Sequence, residues 1–507
     1  MEIIRKNLHP ICCDIGKVFA DQKIMKKYIN FKSLSSFALT LLQLDTAVGG
    51  TKVNGTTVQF TSTKGVVESC VALNKFPLGV YSDKDQASEN TLCSIDFYNN
   101  SVALCPKTWS TSAGTIVNDN SSSGKLSVES EKVACAKSSP LKSIAKFKQT
   151  MNQVDTSGTN SMSPILYYHF SRVLNTLVDV PVAVFRTMDK DEHYQRVTSK
   201  ANPSPSAKMN FAAWSHMKKA ELNPAGYKAA STLFDSSLNQ IYGTLFKDKG
   251  ERYGVEINGT RAQGWGKGQN YDFQKTPGFL ALRSKNAMPL AMDSGIDQAF
   301  LDPAMKKAFA GRRPSKIQMA LWMKELSEIV ILDYIFNQQD RIGNIDYSWH
   351  WVFIDKDGNV KTKKADSEIG LLSKESIQIP EELKAFQPSL VQKTAIGDND
   401  AGALRIYANY TKSTQMLEGL RHLHPDTYRR LFRLALDLEN KRENYQNLEK
   451  NFGLDSSTLE LIVQNTKEAA TILLKSCESK ALEFDIVDLK AAAKQEFSNT
   501  TLDCRNP

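Results

Sequence analysis

The repeat of the apolar residues changes along this chain, and that change limits the fold more than any other feature. Up to about residue 190 the apolar and polar residues alternate in short runs. Examples are Thr57-Val58-Gln59-Phe60, Val66-Val67-Glu68-Ser69-Cys70-Val71 and Ile144-Ala145-Lys146-Phe147-Lys148. Alternation puts successive side chains on opposite faces, so these runs predict β-strands joined by turns. From about residue 300 the apolar residues recur at three- and four-residue spacing, over 315–336, 413–451 and 456–480, which predicts helices. A β-rich first part followed by a helical second part, without internal repeats, predicts an α+β, two-lobed architecture. The expected division is a leader over 1–50, a β-rich lobe over 51–190, an insertion leading into the second lobe over 191–300, and a helical lobe over 301–507.

Smaller elements fill in this outline. Tyr167 to Leu177 has helical spacing behind Pro164, and Val180 to Arg186 reads as a strand. Residues 116–130 are Ser-rich and read as a loop, as does Gly264-Trp265-Gly266-Lys267-Gly268, which follows no strand and opens no helix. Residues 189–275 are otherwise polar with scattered helices.

The chain has 507 residues, of which 41% are hydrophobic and 23% charged, enough apolar material for large cores. Lys plus Arg exceeds Asp plus Glu by nine, 64 against 55, a mild excess that suits a phosphate-bearing ligand or simply a solvated basic surface. No dense Lys/Arg run interleaved with aromatics is present, which argues against nucleic acid as a partner.

Near the N-terminus, Met25-Lys26-Lys27-Tyr28-Ile29-Asn30-Phe31-Lys32 is basic, Leu34 to Leu44 is mostly apolar, and Thr46 to Gly50 is small. That order predicts a secretory signal with its start at Met25, hence a secreted or periplasmic protein. The apolar stretch is too short to span a bilayer as a helix, so no transmembrane segment is expected there. The other reading is an amphipathic N-terminal helix of a cytoplasmic protein. Beyond residue 50 there are six cysteines, Cys70, Cys93, Cys105, Cys135, Cys477 and Cys504, an even number that permits disulfides in an exported chain. Cys93 and Cys105 flank an apparent hairpin around Asn99-Asn100, which predicts a bond between them, and Cys504 is placed to pin the tail to Cys477.

The chemistry concentrates in 326–372. An apolar helix, Leu326 to Phe336, runs into Asn337-Gln338-Gln339-Asp340-Arg341-Ile342-Gly343-Asn344. A strand over 349–354, an Asp-Gly turn at Asp357-Gly358 and a returning strand then end at Asp366. Phosphoryl transfer needs one carboxylate to orient the attacking hydroxyl, a second carboxylate and a short amide to hold a divalent metal, and a lysine on the nucleotide phosphates. Asp340, Asp366, Asn344 and a lysine on the 144–148 strand can fill these roles. Lys146 and Lys148 alternate on that strand and face the same side. The expected cofactors are therefore ATP with Mg²⁺ or Mn²⁺, and the partners are a nucleotide and a hydroxyl-bearing acceptor.

The pattern Asp-Arg-x-Gly-Asn after a long apolar helix, followed by a hairpin and Asp366, resembles the catalytic and metal-binding loops of atypical kinases. These are the secretory-pathway (Golgi casein kinase) family, HipA-like kinases and phosphatidylinositol kinases. Ile144 to Gln149 resembles the lysine strand of the secretory-pathway kinases. Pro164 to Leu174 followed by Val180-Pro181 resembles the helix and strand that come next there. The resemblance covers about 140–375 and implies a kinase-like two-lobed fold, with Lys148 rather than Lys146 on the ATP phosphates. The chain departs from that pattern in places. Asn344 follows Asp340 by four residues instead of five, Ile342 replaces a histidine, Ser367 follows Asp366, and the 161–176 helix has no acidic residue to pair with the lysine. Glu131, Glu192 and Glu368 are candidate substitutes. The departures keep open the alternative of a kinase scaffold that serves as a binding or effector module without transferring phosphate. Ser110 to Thr115 lies before the lysine strand, where a loop covering the phosphates belongs.

Overall fold

The computed structural model describes residues 47–48, 51–135, 141–247, 250–371 and 376–507. The signal-like stretch at 25–50 lies almost wholly outside these residues. Apart from a two-residue pairing of Ala47–Val48 with Thr51–Lys52, the described strands form two antiparallel sheets. The larger contains β1 (Gly55–Thr61), β2 (Val67–Leu73), β3 (Val102–Pro106), β4 (Thr115–Asp119), β5 (Ser143–Gln149), β6 (Ala183–Asp189) and β7 (Gln240–Phe246). Its order is β1-β2-β6-β7-β5-β4-β3.

β7 sits between β5 and β6, so the segment expected to be an insertion supplies an interior strand. Every residue of β7 after Gln240 is buried. A strand covered on both faces loses the alternation that would mark it in sequence. The Ser-rich segment 116–130, expected as a loop, is part strand and part helix. β4 pairs with both β3 and β5, and α2 (Ser127–Ala134) follows.

The hairpin expected between Cys93 and Cys105 is replaced by α1 (Asp83–Cys93) followed by a turn into β3. Ser82 and Asp85 form a reciprocal capping box at the start of α1, which commits the segment to helix. Cys93 therefore leaves from a helix end and bonds Cys70 on β2, and Cys105 on β3 bonds Cys135 just beyond α2. The expected Cys477–Cys504 bond is present.

α3 (Ser163–Leu174) starts with a proline in its first turn and ends at Asn175 in the left-handed conformation, φ 50°. It packs against the sheet and is buried along nearly all its length. α4 (Lys190–Arg196) and α5 (Lys208–Leu222) follow β6. The second lobe is organised around α6 (Lys316–Ile335), in which every residue after Lys316 is buried. A helix buried on all sides belongs in the middle of a core, and the polar residues of α6 are buried with it. The apolar pattern over 413–451 resolves into shorter pieces, chiefly α7 (Pro425–Glu439) and α8 (Glu443–Asn451), with α9 (Ser456–Glu478) after them. The second sheet holds β8 (Glu251–Arg252), β9 (Asp346–Ile354), β10 (Val360–Lys364) and β11 (Ser389–Ala395). The chain is α+β, with an antiparallel sheet in its first lobe and helices dominating the second. Among the described residues no helix is long and apolar enough to cross a membrane.

Candidate active site

α6 ends at Phe336, and Asn337 turns the chain out of the helix in the left-handed conformation, φ 49°. Asparagine tolerates that conformation because its short amide bonds locally. The Asn337 side chain accepts from the Nδ2 groups of Asn409 and Asn465 at 2.8 and 2.9 Å. The exit from α6 is thereby fixed, and with it the loop carrying Asp340 and Asn344.

Arg341 ties this loop to a second one. Its guanidinium is buried, donates to both oxygens of Asp333 on α6 (2.9 Å from Nε and from Nη2) and reaches Asn399 Oδ1 at 2.7 Å and the Asp398 carbonyl at 3.3 Å. Asp333 also accepts from the Tyr167 hydroxyl of α3 at 2.7 Å. Ser163 at the start of α3 donates to the Asn399 carbonyl at 2.6 Å. α3, α6 and the loop Gly397-Asp398-Asn399-Asp400 are thus one bonded unit, and it presents Asp398 and Asp400 beside Asp340.

Opposite these carboxylates stand cations from the first lobe. Lys148, on β5 and only 2% exposed, places Nζ 2.6 Å from Asp400 Oδ2 and 2.6 Å from Ser112 Oγ. Ser112 lies in the turn joining β3 to β4 (residues 107–114). Gly114 closes that turn over the lysine, since a Cβ there would stand 2.9 Å from Lys148 Cδ. α5 holds the turn from outside. Asn210 Nδ2 donates to the carbonyls of Lys107 and Ser112 at 3.3 and 3.2 Å, and Trp214 Nε1 donates to the Lys107 carbonyl at 3.2 Å.

The titration behaviour shows how closely the charges converge. Burial pushes the Lys107 amine down to about 8, helped by the neighbouring Lys148 charge and opposed by Asp398 and Asp400. Burial also takes Lys146 down to about 7, with Lys107 adding to the effect. Burial alone would raise the Asp398 carboxyl. The combined field of Lys107, Lys148, Lys146 and Arg252 overrides it and holds the group well below the usual carboxylate range. Asp340 is pushed up to about 6, first by burial and then by the charge of Asp398.

Of the residues picked from sequence, Lys148, Lys146, Asp340 and Asn344 are brought to this place. Asn344 donates to the Asp340 carbonyl at 2.7 Å and accepts from Arg252, which also pairs with Asp346 at 2.5 Å. Asp366 is not brought there. It is exposed at the start of a short 3₁₀ turn, where Oδ1 accepts from the Glu368 amide at 3.1 Å. The carboxylates that meet the lysine come instead from the end of β11. The acidic substitutes considered for the lysine are engaged elsewhere or remote. Glu131 pairs with Arg196 and Lys200. Glu192 accepts from Thr63, and Glu368 is exposed. Asp400 takes that position. Sequence reasoning missed Asp398, Asp400, Lys107 and Arg252, while Ser112 lies in the 110–115 stretch expected to cover the phosphates. A usable signal existed in Gly-Asp-Asn-Asp directly after the strand-like Val391 to Ile396.

No family model and no curated protein matches the chain. Among solved structures it is similar to the Golgi casein kinase with Mn/ADP bound, at 12% identity, covering 79% of this chain and 78% of that one with a TM-score of 0.38. It is also similar to a second structure of the Golgi casein kinase, at 13% identity, covering 79% and 77% of the two chains with the same TM-score of 0.38.

Proposed function

We propose that the chain is an ATP- and divalent-metal-dependent phosphotransferase that acts on a hydroxyl of a protein or small molecule. The observation that carries the reading is the 2.6 Å approach of buried Lys148 to Asp400, next to Asp398 and Asp340. A lysine on an interior strand, a loop folded over it and carboxylates facing it make up the apparatus that phosphoryl transfer uses.

The donor set suits a hard cation. Asp398 is kept ionised by its four cationic neighbours, and a Mg²⁺ site in a phosphotransferase needs one or two carboxylates, the substrate phosphates filling the rest. Asp398 and the Asn344 amide would hold the ion, which when bound neutralises charge developing on the transferred group. The chain's own residues do the remainder. Lys148 contacts the nucleotide phosphates, and Lys107 and Lys146 add positive field from the same side. The 107–114 turn covers the phosphates, and burial in the cleft limits water. Asp340 accepts the proton of the attacking hydroxyl, and its elevated pKa makes it a better acceptor than an ordinary surface carboxylate at neutral pH. The three disulfides fit an oxidising compartment, so we place the protein in a secretory or periplasmic setting.

The scaffold-only alternative draws on the absence of an acidic residue in α3, which leaves Lys148 paired with Asp400. Calorimetry with ATP and Mg²⁺ or Mn²⁺, followed by ADP release, separates the two. The enzymatic reading predicts metal-dependent binding and turnover. Asp340→Asn should bind nucleotide and turn over about 10²–10⁴-fold more slowly. Binding without turnover in the wild type, or no nucleotide binding at all, favours the scaffold.

A further inference from the structure

Beside Asp340 the loop Gly264 to Gly268 holds Trp265 in an unusual position. Its indole Nε1 faces Asp340 Oδ1 at 3.4 Å, and its ring meets Tyr410 edge-on, with centroids 5.5 Å apart at 88°. The side chain is nevertheless 63% exposed. A lone exposed tryptophan is ordinary on a protein surface. Here the N–H and one edge of the ring are both engaged, so the exposed face has a set direction.

The segment was expected to be a plain flexible loop that opens no helix, but a helix runs over Lys267–Phe273 with Gly266 as its N-cap, and the backbone is bonded on both sides of Trp265. Gln263 donates through its backbone and side chain to Asp272 at 3.0 and 2.8 Å. The Gln269 amide donates to the Gly264 carbonyl at 2.7 Å, and Asn270 Nδ2 to the Gly266 carbonyl at 2.8 Å. Gly264 and Gly266 have φ of 80° and 87°, and a Cβ on Gly266 would come 3.2 Å from the Tyr410 hydroxyl. The segment leading into it, through Asn258 and Arg261, leans on the loop that bears Asp340. Asn258 accepts from the Gly343 amide at 2.8 Å, and a Cβ on Gly343 would strike Arg261 Nη1 at 2.6 Å.

We infer that Trp265 is the acceptor platform of this site: its free face stacks on a ring that carries the hydroxyl to be phosphorylated, and its N–H fixes which oxygen of Asp340 faces that hydroxyl. This inference rests on the phosphotransfer reading and narrows it to ring-borne hydroxyls. Two sources supply that chemistry, a saccharide ring and a phenol. With Oδ1 engaged by the indole, Oδ2 is the oxygen left to accept the proton. An aromatic face fixed before binding loses little conformational entropy when the acceptor arrives.

The test uses the full chain with Mg²⁺ and ATP and reads ADP release. The probes are methyl β-glucopyranoside for the saccharide arm, N-acetyltyrosinamide for the phenol arm and N-acetylserinamide as the ringless control. At least one ring probe should stimulate release well above the control, and which one does so identifies the source. Trp265→Ala should raise the KM of that probe at least about tenfold, the scale of one aromatic stacking contact. Trp265→Phe keeps the face and drops the N–H, so KM should stay within about threefold of wild type while kcat falls. Both substitutions are at an exposed position, and an unchanged melting temperature confirms folding. Serinamide stimulating as well as the ring probes, no ring probe stimulating a nucleotide-binding protein, or a Trp265→Ala KM equal to wild type would each overturn the inference. Absence of nucleotide binding by the wild type would instead defeat the phosphotransfer reading itself.

Discussion

Two strands run alongside β9, and each ends near an aspartate, yet only one delivers its aspartate to the lysine. β11 pairs with β9 from Asp346↔Ala395 to Val352↔Ser389, and β10 pairs from His350↔Lys364 to Ile354↔Val360. Residues 350–352 of β9 are bonded to both, so β10 and β11 lie on opposite edges. Both strands head toward Asp346 and the loop that bears Asp340. β11 arrives, and Asp398 follows three residues after Ala395. β10 cannot, because β8 already occupies its edge, pairing Glu251↔Tyr347 and Arg252↔Asp346. The chain leaves the edge once the Ala365 amide has bonded the Trp349 carbonyl at 2.8 Å, and Asp366 turns out to solvent. A hairpin aspartate and a strand-end aspartate look alike in sequence. Which one reaches the site depends on which edge of the shared strand is still open.

The largest expected effect contrasts these two aspartates. Asp398→Asn should lower ADP release by about 10²–10³-fold, as for loss of one charge-stabilising group in a site. Asp366→Asn should leave release within about twofold and stability within about 0.5 kcal/mol, as for a surface position. Equal losses from both substitutions would break the comparison.

A smaller effect is expected from the clamp behind the lysine. Asn210 is fully buried and holds the 107–114 turn at two carbonyls. Asn210→Ala should cost about 1–3 kcal/mol of stability through unsatisfied carbonyls. It should also raise the KM for ATP several-fold with kcat nearly unchanged, measured by initial rates over a range of ATP concentrations. A change confined to kcat would show that the turn positions the acceptor side instead.

A third effect, confined to pH dependence, concerns how β11 is anchored. Glu325 on α6 accepts from the Thr394 amide at 3.0 Å and from its hydroxyl at 2.5 Å, and burial pushes its carboxyl up to about 8. The folded protein therefore keeps a proton that the unfolded chain releases above about 4.5. Between those values stability falls as pH rises, by up to about 1.4 kcal/mol per pH unit from this group. Glu325→Gln should flatten that slope in urea titrations from pH 5 to 8. An unchanged slope would mean that Glu325 carries no such proton.

Much of this was legible along the chain. The mostly apolar run of α6 and the loop Asp340 to Asn344 that follows it are local features, and the sequence placed them within a few residues. β5 was equally readable, because one of its faces leaves the alternation visible, and so were Lys146 and Lys148 on it. β7 was not, since burial on both faces erased its period. Cys93 was not, since the runs on either side of Asn99-Asn100 look like a hairpin while the Ser82–Asp85 cap that commits its segment to helix lies several residues earlier.

What the sequence determined by itself was several local elements, chiefly α6, the Asp340 loop after it and the β5 strand with its lysines, because propensity and periodicity act over a few residues. Only the tertiary structure decided which second carboxylate joins them. Strand pairing is a competition among distant segments for a limited number of backbone edges. The fifth strand's lysine and the aspartates after β11 are some 250 residues apart, and no local rule relates them. β8 closes one edge of β9, β11 takes the other, and the charges of Asp398 and Asp400 come to rest against Lys148 as a result.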